Sequence, residues 1–184
     1  VDAVVIDNFK AAYRATKYLL GLGHRKIALI NGDPDLFLYG ERLAGYKEAL
    51  VDSDMSIDDN LIIKGVEDME SAYDATKELL IRGITPDAIL AASDPNAYGV
   101  MGALKDMKFS IPGDVAVMGF DDLDVSQFMN PPLTAVSQPC YEMGVAAMER
   151  LIELIENGKA EPSVEMFDAH IVKRESTESK ERRD

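Results

Sequence analysis

The chain has a single cysteine, no tryptophan, two histidines, and 19 basic residues against 33 acidic ones. Each shortage excludes something. One thiol, Cys140, cannot build an internal disulfide framework, and it fits a reducing, cytoplasmic compartment. It follows Pro139 with no spaced histidine, so it reads as a small buried residue rather than a nucleophile. His24 and His170 belong to no metal-ligand cluster, and there is no Gly-x-Ser-x-Gly elbow, so no cofactor, metal or nucleophilic apparatus is implied and the chain is read as a non-enzyme. A net charge of -14 disfavours direct nucleic-acid binding, which needs a basic stripe. Arg182-Arg183 comes nearest, in a Glu- and Ser-rich tail (178–184) read as disordered. No run approaches the roughly 18 apolar residues of a membrane span, so no membrane partner is expected. The opening Val1-Asp2-Ala3-Val4-Val5-Ile6 lacks the basic region of a signal peptide and reads as a strand already in progress, as in a piece of a longer protein.

What is present is alternation. Short apolar runs at 3–6, 27–30, 61–63, 88–92, 115–119, 134–137 and a pair within 164–172 predict strands. Amphipathic stretches at 9–22, 41–51, 71–82, 96–107 and 141–157 predict helices between them. Strands alternating with helices give an α/β fold with a mostly parallel sheet. A weak internal repeat supports it. Ala12, Tyr13, Ala15, Thr16, Lys17, Leu19, Leu20 and Gly23 recur as Ala72, Tyr73, Ala75, Thr76, Lys77, Leu79, Leu80 and Gly83. Each copy leads into a strand, so two equivalent α-β units meet one packing demand. The glycines suit left-handed helix C-termini.

Two suggestive motifs fail on detail. The acidic run Asp52-Ser53-Asp54-Met55-Ser56-Ile57-Asp58 has Ile57 where a calcium loop needs glycine. Gly21-Leu22-Gly23-His24 follows a helix, not a strand, and has Lys26 where a dinucleotide fingerprint has its third glycine. A phospho-receiver domain would share the sheet but needs its acidic cluster around an early strand.

Polar groups at strand ends remain. The run Val115-Ala116-Val117-Met118-Gly119-Phe120 delivers Asp121-Asp122; Ser93-Asp94 end the 88–92 run; Gln138 ends 134–137; Arg42 follows 27–30 and its loop. Ligands of open α/β sheets bind beyond the carboxyl ends of the strands. A guanidinium and a carboxylate there can each form paired hydrogen bonds to a diol or a heterocycle. Each residue alone has a plainer reading: Asp121 or Asp122 as a turn cap, Asp94 as a helix N-cap, Arg42 as a surface ion pair. Their succession at strand ends favours a polar small-molecule site for Asp121, while Asp122 reads as structural.

The chain resembles the effector-binding core of the LacI/GalR transcriptional regulators. The matching segments are Val5-Ile6-Asp7-Asn8, Leu22-Gly23-His24-Arg25-Lys26-Ile27, Arg42-Leu43-Ala44-Gly45-Tyr46, Pro86-Asp87-Ala88-Ile89 and Ser93-Asp94-Pro95-Asn96-Ala97-Tyr98-Gly99. Ile111-Pro112-Gly113-Asp114-Val115, Gly119-Phe120-Asp121-Asp122, Pro131-Pro132-Leu133-Thr134, Gln138 and Val172-Lys173-Arg174-Glu175-Ser176-Thr177 complete them. In this order the set is highly specific.

The resemblance implies a type I periplasmic-binding-protein-like fold, two flavodoxin-like three-layer α/β/α lobes joined by crossovers with the effector between them. Residues 1–177 would form a partial core, with one lobe at about 8–132 plus 162–177, and 133–161 as crossover and second-lobe helix. DNA binding would belong to an N-terminal helix-turn-helix outside this sequence. The implied ligand-binding residues are Arg42, Ser93, Asp94, Asp121 and Gln138. Ser93 stands where the family usually has Asn, and Leu36 and Leu38 where relatives often carry Ser, Thr or Arg, which argues against a simple sugar pocket. Stacking on a ring would fall to Phe37, Tyr39 or Tyr141. Implied partners are a small sugar-like effector, a second copy meeting through Tyr98, Met101, Phe128 and Met129 (for which a core role is equally open), and in some members a protein corepressor. A solute-binding protein of a sugar transporter is the alternative that the fold permits.

Overall fold

The computed structural model describes residues 2–158 and 161–177, so the 178–184 tail lies outside the described residues. Among the described residues, eight strands and five α-helices follow in the order β1 (Ala3–Ile6), α1 (Asn8–Gly21), β2 (Ile27–Ile30), α2 (Phe37–Val51), β3 (Ile62–Ile63), α3 (Met69–Ile81), β4 (Ala88–Ala91), α4 (Asp94–Asp106), β5 (Ala116–Asp121), β6 (Thr134–Ser137), α5 (Cys140–Asn157), β7 (Val164–Phe167) and β8 (His170–Val172). Six strands form one sheet in the order β3-β2-β4-β5-β6-β8, parallel except for β8. β1 and β7 form a separate parallel pair.

β2, β4 and the centre of β5 are buried throughout, because helices cover both faces of the sheet. Ile27, Leu29, Leu90 and Met118 face a core with α1 and α2; Ala28, Ile30, Ile89 and Val117 face another with α3 and α4. The internal repeat is thus two helix pairs on opposite faces. Thr16 and Thr76, buried in equivalent places, donate their hydroxyls back to Ala12 O and Ala72 O. Tyr13 Oη donates to Asp52 and Tyr73 Oη to Asp106, tying each helix to its neighbour's end. Gly23 (φ 96) and Gly83 (φ 77) stand just past the helix ends in the left-handed conformation expected of them.

Two of the shared motifs turn out to be architectural. Asp87, before β4, accepts the backbone N–H groups of Arg25 (2.8 Å) and Lys26 (3.1 Å), with His24 at 3.6 Å. The segment entering β2 is thereby held to the segment entering β4.

The structure moves several expectations. β6 pairs with β5 in the large sheet rather than standing outside the first lobe, and β7 pairs with β1 rather than belonging to it. Strand membership follows the pairing partner, which apolar alternation does not encode. Here Arg150 helps hold the second pair, bonding Asp2 (2.6 Å) and Glu161 O (2.6 Å). α2 begins at Phe37 rather than 41, with Leu36 at its N-cap and no side-chain cap to announce it. Cys140 is exposed, not buried, because it opens α5, a helix with no buried residue.

Candidate functional site

The carboxyl ends of β2, β4, β5 and β6, with the end of β1, surround an open cavity of about 600 Å³. Arg42, Ser93, Asp121 and Gln138 line it together with Asn8, which the sequence offered only as part of a shared motif.

Arg42 projects from the second turn of α2 and is only 6% exposed. Its Nε donates to Asn8 Oδ1 at 2.9 Å and its Nη1 to Ala92 O. The guanidinium carbon lies 3.6 Å above the Phe120 ring centroid and 5.9 Å from that of Tyr39. Burial pushes Arg42 down to about 10, against the pull of Asp121, so it stays cationic at neutral pH.

Asp121 ends β5 with φ 115, and Asp122 follows with φ 59. Two successive non-glycine residues at positive φ are strained, and strain of this kind concentrates at ligand sites. Gln138 Nε2 donates to Asp121 Oδ1 at 2.5 Å. Burial raises the Asp121 carboxyl, while Arg42, Gln138 and the Asp94 backbone N–H pull it down. Arg42 and Asp121 are coupled through space, yet they do not form one of the ion pairs within 4.0 Å. A cation and an anion facing one cavity without closing on each other leave their remaining hydrogen-bonding capacity to a ligand.

Ser93 both lines the cavity and caps α4, accepting from the Asn96 N–H at 3.2 Å. Asp94 does not join it. Fully buried, it turns away and accepts the Leu123 N–H (2.8 Å) and the Ser126 hydroxyl (2.5 Å) on Oδ2. Ser93 is the extended N-cap and Asp94 the first helical residue, so the two side chains diverge, Ser93 to the cleft and Asp94 into the protein. Asp122 is structural, paired with Arg174 at 2.7 Å. Leu36, Phe37, Leu38 and Tyr39 line the cavity. Tyr141 does not, facing a separate surface depression with Cys140, Val145 and Met148.

The four residues assigned to a dimer contact divide. Met101 is buried in the core cluster that holds Val100, Leu104 and Val117, the core role left open for it. Tyr98 and Met129 are half-buried against the same core, with Tyr98 Oη 2.8 Å from Ser126 Oγ. Phe128 alone is fully presented to solvent, 78% exposed, near the exposed Leu123 and Val125.

A family model described as the periplasmic binding protein-like domain matches residues 16–177. The chain is 38% identical over 176 residues to the transcriptional regulator CelR of Thermobifida fusca, covering 96% of this chain and 52% of that protein. It is 33% identical over 178 residues to the transcriptional repressor PurR of Vibrio atlanticus, covering 97% and 53% respectively. Among solved structures, a CelR–cellobiose complex matches with a TM-score of 0.91 at 38% identity, over 96% of this chain and 54% of that one. The transcription regulator CcpA of Lactococcus lactis matches with a TM-score of 0.90 at 32% identity, over 97% and 65%. Fold and cleft define a periplasmic-binding-protein-like ligand domain. Within that class the chain belongs to the LacI/GalR family of transcription regulators. It spans about half the length of the two curated relatives.

Proposed function

We propose that this chain is the ligand-sensing part of a cytoplasmic transcription regulator, and that it binds a small polar effector of the sugar type. The observation that carries this is the facing, unclosed pair Arg42 and Asp121, each oriented by a side-chain amide: Asn8 at 2.9 Å on Arg42 and Gln138 at 2.5 Å on Asp121. An effector bridging the two would draw the surrounding elements together. In the parent protein that closure would change the geometry of a dimer, and with it the spacing of helix-turn-helix heads lying outside this chain. Coupling of this kind is typically about 1–3 kcal/mol. The relatives' description as regulators and repressors favours this reading over a transporter's solute-binding protein. A protein corepressor acting on the same core is compatible with it. No helix among the described residues is long and apolar enough to cross a membrane.

The test is Asp121→Ala in the full-length regulator. The variant is expected to keep its fold but lose the rise in melting temperature that sugars and sugar derivatives give the parent protein. An undiminished rise would remove Asp121 from the site.

A further inference from the structure

The cavity has two chemically different ends. At one, Arg42, Asp121 and Gln138 offer charge and hydrogen bonds. At the other, Leu36, Phe37 and Leu38 line the same cavity while remaining 55%, 73% and 37% exposed. Leu38 and Arg42 stand four residues apart on α2 and so share one helix face. The change from apolar to cationic therefore takes place within a single turn, about 5.4 Å.

Resting on the effector-binding reading above, we infer that the effector is a glycoside with an aromatic aglycone: a hydroxyl-bearing ring held at Arg42 and Asp121, and a flat apolar group laid against Leu36, Phe37 and Leu38. A bare sugar could lay one C–H face on Phe37, but hydroxyls ring its edge and several would turn toward Leu36 and Leu38. Against this wall some of them would leave water without finding a partner, which is unfavourable. The two rings nearest the polar end are engaged by Arg42 itself, Phe120 at 3.6 Å and Tyr39 at 5.9 Å. That leaves Phe37 as the ring offered to a ligand, on the apolar side. A nucleobase is flat as well, but its edge needs donors and acceptors that three hydrocarbon side chains do not supply.

The experiment is calorimetric titration of the full-length regulator with matched phenyl and methyl β-glucosides and β-galactosides, and with adenosine. Burying one aromatic group is expected to make the phenyl member of the responding pair about 10- to 100-fold tighter than the methyl member. Leu36→Ser and Phe37→Ser, both at exposed positions, should cut the phenyl-over-methyl advantage to near parity. Equal affinities within each pair, or adenosine binding tightest, would overturn the inference and leave the effector-binding reading standing. Failure of every compound, and of glucose and galactose titrated alongside them, to bind the parent protein would overturn both. An advantage that survives in both serine variants would show that the aglycone sits elsewhere and overturn the inference alone.

Discussion

Gly119 and Asp94 fit together only because one of them has no side chain. A Cβ placed on Gly119 would stand 2.3 Å from Asp94 Oδ1 and 2.9 Å from Leu133 Cδ2. This glycine in the middle of β5 lets the first turn of α4 settle on the sheet. The Asp94 carboxylate then holds the segment after β5 through Leu123 and Ser126. That segment continues from Asp121 and Asp122, so the backbone that presents the cavity-lining Asp121 carboxylate is anchored from below by Asp94.

Gly119→Ala is therefore expected to destabilise the fold by about 1–3 kcal/mol, the usual range for overpacking a filled core. Urea denaturation would measure it. Because Leu133 and Asp94 share the contact, the loss should be smaller in a background carrying Asp94→Ala than in the native one. Strict additivity of the two would show that the contact is relieved elsewhere.

Asp94 also predicts a pH dependence. Burial raises its carboxyl to about 6, with Asp121 and Asp122 adding to the rise and the Ser126 and Leu123 hydrogen bonds opposing it. Its folded-state value lies above the ordinary 3.8, so the folded protein holds the proton more tightly than the unfolded chain. The stabilising contribution is complete below about pH 4 and is lost as the pH rises through about 6. Asp94→Asn keeps the shape without the titration. The melting temperature of the native protein relative to this variant should fall between pH 4 and 6 and level off above. A flat difference across that window would show that Asp94 remains ionised.

The two helix pairs make a further, independent prediction. A Cβ on Gly45 would lie 2.2 Å from Phe9 O, and one on Gly99 would lie 2.1 Å from Met69 O, so both helix crossings depend on backbone-to-backbone approach. Gly45→Ala and Gly99→Ala should each destabilise by about 1–3 kcal/mol. Since one lies in the α1–α2 layer and the other in the α3–α4 layer, their effects should add to within about 0.5 kcal/mol. Denaturation of the two single variants and the double variant checks this; marked coupling would mean that the sheet transmits strain between its faces.

Much of this was legible in the sequence because it is written in local periodicity. The alternating apolar runs placed every strand, and the recurrence of Ala12, Thr16 and Leu19 as Ala72, Thr76 and Leu79 marked the residues that bury on the sheet. Arg42, Asp121 and Gln138 were recognisable because the carboxyl ends of parallel strands converge, whatever the loops between them do. What failed depended on direction and on distant partners. Ser93 and Asp94 are neighbours in sequence, yet one lines the cavity and the other is buried beneath it. Met101 and Phe128 are equally apolar, and only packing decides that the first is core and the second surface.

The sequence by itself determined the class of fold and the polar residues that stand at the strand ends, because hydrophobic spacing and side-chain chemistry are properties of the chain. Tertiary structure alone decided that Thr134–Ser137 joins the large sheet, that Val164–Phe167 pairs with Ala3–Ile6, and that Arg42 faces Asp121 without closing on it. Those outcomes turn on which distant groups compete for the same hydrogen bonds and the same space, and that is settled only when the whole chain has packed.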